Sequence, residues 1–164
     1  MTNSPSSPKD LATLPSGTRI FIDANIFIYH FTQVPLTAAC TAFLQRVEAG
    51  DLHGVTSVVV LAEVAHRLMI LEAIRTSGVS SRTAVKRLKE NPTLVSQLSH
   101  YNVTVEPVTF AHLQTAQELS TLHGLLTNDS LTGAMAQSLA LTDVASNDPD
   151  LTLIPGLTIW HPQP

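Results

Sequence analysis

The sequence predicts an α/β protein with a central, largely parallel sheet flanked by helices, and two observations lead to that class. Short apolar, β-branched segments alternate with longer segments of helical spacing along most of the chain, which is the pattern of strand–helix–strand units. The stretch RIFID, residues 19–23, is a short apolar strand that stops abruptly at Asp23. Because parallel sheets bind ligands beyond the carboxyl ends of their strands, an acid at that point needs an explanation.

The first half of the chain gives three further elements. Helical spacing across residues 35–50 ends at Gly50, a residue that suits the position just after a helix. The segment 54–78 is β-branched at its start and too long for a strand, so we divide it near Ser57 into a strand and a helix closed by Gly78.

The second half continues the alternation. Residues 80–101 predict two short helices, and residues 102–108 predict a strand. Thr109 caps a helix that Gly124 closes, and another helix starts near Thr127. The remaining predicted elements are a strand at 142–146, a turn at 147–150 and a last strand at 156–160.

The chain of 164 residues is the size of one domain. Residues 1–17 are rich in Ser, Pro, Thr and Asn and predict a flexible tail, which leaves residues 18–164 as the globular domain. No apolar run reaches the roughly 20 residues of a membrane helix, and the N-terminus lacks the apolar core of a signal peptide. With Cys40 as its one cysteine, expected to be a buried apolar side chain, the protein is predicted to be cytoplasmic and not membrane-bound.

Charge gives little support for nucleic-acid binding over the whole surface. Charged residues make up 13% of the chain, the net charge is −4 and the pI is about 5.9. The densest basic cluster consists of Arg82, Lys86, Arg87 and Lys89. Together with Arg46 and Arg67 it is the candidate track for phosphates, although a solvated face of an amphipathic helix is the better single explanation of the cluster.

Common catalytic motifs are absent, and four acids in unexpected places remain. The sequence lacks G-x-G-x-x-G, G-x-x-x-x-G-K-[ST], G-x-S-x-G and H-E-x-x-H. Asp23 ends the first strand, Glu63 is the one acid in an apolar run, Asp129 opens a helix, and Asp148 follows a strand. The four acids are therefore expected to border one crevice at the carboxyl edge of the sheet.

Each acid except the first also has a purely structural interpretation. Asp129 would interact favourably with the start of its helix, a contribution of about 0.3–1 kcal/mol. Glu63 could pair with Arg67 four residues later. Asp148 and Asp150 stand in a turn, where Asp is common without a function.

The order and local context of these acids nevertheless form a recognisable pattern. The pieces are FIDANIFIY, then SVVVLAEVAHRL, then HGLLTNDSLTGAMA, then DVASNDPDL with PGLTIW after it. Across residues 19–162 the chain resembles the PIN-domain family, specifically the VapC-like toxins of toxin–antitoxin pairs. The resemblance implies a parallel sheet flanked by helices, and acids at its centre that hold Mg²⁺ or Mn²⁺ for RNA cleavage.

The resemblance also implies roles, residue by residue. Asp23, Glu63, Asp129 and Asp148 match the catalytic acids. Asp23 and Asp148 are expected to bind the metal directly and Asp129 directly or through water, while Glu63 orients a water and Asn25 supports the site. Three further small polar or acidic positions match: Thr127, Ser146 and Asp150.

The same resemblance implies partners. It implies RNA as substrate, a cognate antitoxin protein and a homodimer. An arginine of the partner chain would complement a pocket of carboxylates, and the helices at 36–47 and 58–71 are candidates for a groove. Three alternatives stay open: a PIN fold that binds without catalysis, a stand-alone PIN nuclease, and a phosphatase with Asp as nucleophile, which normally has a second Asp where this chain has Asn25.

Overall fold

The computed structural model describes residues 7–78, 97 and 99–164. Six strands form one parallel sheet in the order β1-β6-β5-β2-β3-β4, which confirms the predicted α/β class. The strands are β1 (Lys9–Asp10), β2 (Arg19–Ile22), β3 (His53–Ser57), β4 (Thr104–Glu106), β5 (Asp143–Ala145) and β6 (Thr158–His161). The described helices are α1 (Ala24–His30), α2 (Thr37–Glu48), α3 (Val58–Ser77), α4 (Phe110–His123) and α5 (Thr127–Ser138).

Helix caps predicted from the sequence are present. The Ser57 hydroxyl accepts from the Val60 amide at 3.2 Å, so strand β3 changes into helix α3 at the predicted residue. Thr109 and His112 form a reciprocal capping box at the start of α4. Gly78 and Gly124 end their helices with φ of 70° and 71°, a conformation that costs glycine little.

Two parts of the fold differ from the expectation. Helix α1 was not predicted, because its apolar residues follow β2 after a break of only three residues. The expected tail is ordered between Lys9 and Leu14. Strand β1 pairs with β6, and Leu11 and Leu14 are each 2% exposed because they pack into the core. The basic cluster at 82–89 and most of the two short helices predicted in 80–101 lie outside the described residues.

The core that positions the site lies between the sheet and its helices. Phe21 and Ile22 of β2 are fully buried, and α5 is buried along most of its length. Gly133 allows α5 to lie close to Ile154, because a Cβ at residue 133 would collide with that side chain. The described helices include none with the length and apolar character needed to cross a membrane.

Candidate active site

The four predicted acids line one pocket at the carboxyl edge of the sheet. Asp23 follows β2 directly, and Asp148 follows β5, the neighbouring strand. Glu63 lies on α3 in the second turn after β3, and Asp129 lies in the first turn of α5. The pocket has a volume of about 540 Å³. The structure therefore brings together acids from distant parts of the sequence, since Asp148 lies 125 positions after Asp23.

A hydrogen-bond network fixes Asp23 against the end of β5. The side-chain amide of Asn25 and the hydroxyl of Ser146 each donate to Asp23 Oδ2 at 2.7 Å. The Asn147 amide donates to Asn25 Oδ1 at 3.0 Å, and the Asp148 amide donates to Ser146 Oγ at 3.0 Å. Because these bonds run from the start of α1 to the residues after β5, they hold the two strand ends in one arrangement.

Burial and like charges raise the pKa of two of the carboxyls. The pKa of Asp23 rises from its ordinary 3.8 to about 6, mainly through burial, with Glu63 and Asp148 adding to the rise and the Ser146 hydrogen bond opposing it. The pKa of Asp129 rises from 3.8 to about 7, again mainly through burial and then through Asp148 and Asp23. The protein alone therefore disfavours the ionised form of both carboxyls.

Glu63 is held by an amide and not by a cation. The side chain of Asn128 donates to Glu63 Oε2 at 2.8 Å, which links α3 to α5. The ion pairs among described residues are Arg46–Asp51 and Arg75–Glu72, so the Glu63–Arg67 pair, the alternative structural interpretation of Glu63, is not formed. Asn128 was not predicted as a site residue, because its contact depends on a residue 65 positions away.

The supporting residues divide into those at the pocket and those beside it. Ser146 is fully buried and contacts Asp23 from behind. Thr127 and Asp150 are exposed and do not line the pocket, although the Asp150 amide donates to Asp148 Oδ1 at 2.9 Å. Two further residues that line the pocket, Asn147 and Tyr29, were not predicted as site residues. The side-chain amide of Asn147 donates to the Tyr29 hydroxyl at 3.3 Å.

The pocket has an acidic floor and an apolar wall. Five apolar or aromatic side chains from α1 and α3 form the wall: Ile28, Tyr29, Ile70, Leu71 and Ile74. As the side chains stand, no three Asp, Glu, His or Cys residues of the described chain are gathered closely enough to ligate one ion together. Cation binding here would therefore use fewer direct protein ligands, with water completing the coordination.

Cys40 lies away from this pocket and has no part in it. Its thiol is fully buried, and burial raises its pKa to about 12. A thiol in that state is protonated and unreactive at neutral pH, in agreement with the predicted packing role.

Comparison with protein families identifies this architecture. The model of the PIN domain matches residues 20–157. No protein of curated function matches the sequence significantly.

Solved structures with the same fold are distant in sequence. VapC20 of Mycobacterium tuberculosis, described as a sarcin-ricin loop cleaving toxin, is 20% identical, with 81% of this chain and 92% of that chain aligned and a TM-score of 0.57. VapBC2 of Rickettsia felis, bound to a promoter DNA fragment, is 17% identical over 87% and 98%, with a TM-score of 0.56. FitAcB of Neisseria gonorrhoeae is 16% identical over 87% and 97%, with a TM-score of 0.54. At these identities the likeness extends to the fold.

Proposed function

Since this chain belongs to the PIN domain family, we propose that it is a metal-dependent endoribonuclease that hydrolyses RNA phosphodiester bonds. One observation carries the proposal: Asp23, Glu63, Asp129 and Asp148 line the same pocket at the carboxyl edge of the sheet. Four carboxylates in one partly buried pocket repel each other, and a bound divalent cation would relieve that repulsion.

The donor set fits Mg²⁺ or Mn²⁺. These hard cations prefer carboxylate oxygen, and Mg²⁺ usually retains several waters beside one or two carboxylates. In this proposal Asp23 and Asp148 are direct ligands, and Asp129 binds directly or through water. When bound, the cation would supply an activated water and stabilise the charge that develops on the phosphate.

The protein's own residues have separate tasks in the proposed reaction. Glu63, fixed by Asn128, orients the attacking water from the side of α3. Asn25 and Ser146 hold Asp23 Oδ2, so that carboxylate does not have to reorganise when the substrate arrives. Burial and the neighbouring carboxylates raise the pKa of Asp129 to about 7 in the protein alone, so binding of a cation would favour its ionised form and release a proton near neutral pH.

The test is cleavage of RNA by the purified chain with Mg²⁺ or Mn²⁺. We expect internal cuts, loss of cleavage in EDTA, and loss of cleavage in Asp23→Asn, which keeps the shape of the side chain but removes its charge. Two further assays complete the design: one measures turnover of a generic phosphomonoester, and the other measures RNA binding. Turnover of the phosphomonoester with intact RNA would favour the phosphatase, and RNA binding without any cleavage would favour the non-catalytic PIN fold.

We also propose that the chain is the toxin of a type II toxin–antitoxin pair and that it acts in the cytoplasm as a homodimer. Support comes from the relatives: similar folds occur in a toxin–antitoxin complex from Klebsiella pneumoniae, with 17% identity and a TM-score of 0.54, and in VapBC2. The acidic pocket of this chain would accept an arginine of the antitoxin, and its apolar wall on α3 would contact a partner helix.

Co-expression with the neighbouring open reading frame tests the partner. We expect the two products to co-purify, the complex to be inactive on RNA, and the neighbour to relieve growth arrest caused by this chain. An active nuclease that neither binds the neighbour nor arrests growth would be a stand-alone PIN nuclease.

A further inference from the structure

Arg67 differs from the other described arginines in having no acceptor among the residues that the structure describes. Arg46 contacts Asp51 at 2.6 Å and the Leu14 carbonyl at 2.8 Å, Arg75 contacts Glu72 at 2.6 Å, and Arg19 donates to the Leu139 carbonyl at 3.1 Å. Within the described residues, Arg67 makes neither an ion pair within 4 Å nor a side-chain hydrogen bond. Its five N–H donors are therefore available to a ligand.

The position of Arg67 makes that availability unusual. Its side chain lines the pocket that contains Asp23, Glu63, Asp129 and Asp148, and it is the one cationic side chain among the described residues that do so. Glu63, one helical turn before it, is held by Asn128 on the far side. A guanidinium beside four carboxylates would be expected to pair with one of them, and here it does not.

We propose that Arg67 binds a phosphate of the RNA substrate next to the phosphodiester bond that is cut. The guanidinium presents a planar pair of donors that matches two phosphate oxygens. The substrate is a polyanion that must approach an acidic floor, so a cation at the wall offsets repulsion at the neighbouring phosphate.

The wall beyond Arg67 indicates a nucleotide in preference to a small anion. Ile70, Leu71 and Ile74 continue along the same face of α3, and Tyr29 lines the pocket with them. A phosphate gains no favourable contact from an apolar surface. The base of the same nucleotide would pack on that surface and could stack on an aromatic ring. The inference rests on the proposed ribonuclease activity, because it concerns the substrate of the same site.

The experiment compares Arg67→Ala with Arg75→Ala, which changes net charge equally on the same helix but lies outside the pocket lining. We expect Arg67→Ala to raise KM for single-stranded RNA about tenfold with little change in kcat. The slope of log(kcat/KM) against log[KCl] should become shallower by about 0.7, the value for one contact to a single strand. Arg75→Ala should change neither quantity, and Arg67→Lys should restore the salt slope while recovering only part of the affinity.

A second measurement separates this inference from the ribonuclease proposal. Binding of a fluorescent single-stranded RNA, with Mg²⁺ present, is measured for both alanine variants in an Asp148→Asn background that stops turnover. If the parent does not cleave RNA, the proposed function fails, and the difference between the two variants in binding still decides the role of Arg67. Equal KM, equal binding and equal salt slopes for the two variants would overturn the inference. So would a lower Mg²⁺ requirement with unchanged KM in Arg67→Ala, because Arg67 would then only shield the carboxylates.

Discussion

At the amino ends of the strands, charged side chains have partners within the protein. Arg46 bonds to Asp51 just before β3, and Asp143, the first residue of β5, accepts from Trp160 Nε1 at 2.7 Å and from the Thr142 hydroxyl at 2.9 Å. Arg19, the first residue of β2, likewise donates to the Leu139 carbonyl at 3.1 Å. Such contacts stabilise the fold and leave nothing for a ligand to satisfy.

At the carboxyl ends, four acids are brought together in a pocket where Arg67 is the one cationic side chain among the described residues. Asp23, Glu63 and Asp148 accept hydrogen bonds from amide or hydroxyl donors, but no described cation pairs with them or with Asp129. These donors fix the carboxylates without neutralising them, and burial, followed by the neighbouring carboxylates, raises the pKa values of Asp23 and Asp129. The same sheet thus has one edge whose charges are paired within the protein and one edge whose carboxyls have no cationic partner among the described residues.

The largest expected effect uses the two ends of a single strand. We expect Asp148→Asn to lower the rate of RNA cleavage about a thousandfold, because removing one carboxylate ligand costs several kcal/mol of transition-state stabilisation. Asp143→Asn, at the amino end of β5, should stay within about twofold, since an amide oxygen can still accept from Trp160. Single-turnover assays at saturating Mg²⁺ check both. Similar losses of cleavage rate in the two variants would contradict the proposed difference between the amino and carboxyl edges of the sheet.

The second prediction concerns stability against pH. The unfolded Asp23 ionises near pH 3.9, whereas its folded pKa is about 6, so the folded state binds more protons between these values. Stability that is present below about pH 4 is therefore lost as the pH rises through 6. The loss is at most about 3 kcal/mol, and solvent screening through the open pocket makes it smaller.

Asp23→Asn removes this loss. In EDTA we expect the variant to unfold at higher urea than the parent at pH 7.5 and at similar urea at pH 4, because the amide has no charge to bury. Adding Mg²⁺ at pH 7.5 should stabilise the parent and leave the variant nearly unchanged. A parent that is as stable as the variant at both pH values would show that burying the ionised Asp23 carboxylate does not destabilise the fold.

The element boundaries and the acids that depend on local sequence could be predicted. The β-branched run before Ser57 and the length of the segment after it located the change from β3 to α3, and Thr109 and Gly124 bounded α4. The acids were found because each interrupts an apolar run or follows a strand. These signals lie within a few residues of the feature that they predict.

The missed features depend on contacts between distant segments. Helix α1 has no side-chain cap at Asp23, and its apolar residues resemble a continuation of the strand. Asn128 and Asn147 look like ordinary turn residues until the fold places them beside Glu63 and Tyr29. Conversely, Thr127 matched the family pattern, but the first turn of α5 leaves its side chain exposed and outside the pocket lining.

A smaller effect is expected at the amino edge. Arg46→Ala removes the bond to Asp51 and the bond to the Leu14 carbonyl, which ties the segment before β2 to α2. We expect the Tm to fall by about 3 °C and the cleavage rate per folded molecule to stay unchanged. Thermal unfolding and cleavage assays on the same preparation check this. A loss of activity at a temperature where the variant is fully folded would mean that the two edges are coupled.

The smallest effect tests whether a neutral donor at the acidic edge orients a catalytic group. Asn128→Ala leaves all four carboxylates in place but removes the 2.8 Å bond to Glu63. We expect kcat to fall about fivefold, in keeping with the loss of one ordinary hydrogen bond of about 1 kcal/mol, while KM stays the same. If Asn128 acts through Glu63, the same substitution in a Glu63→Ala background should have no further effect. An equal fivefold loss in that background would place the contribution of Asn128 elsewhere in the pocket, and Glu63 would then be oriented by the helix alone.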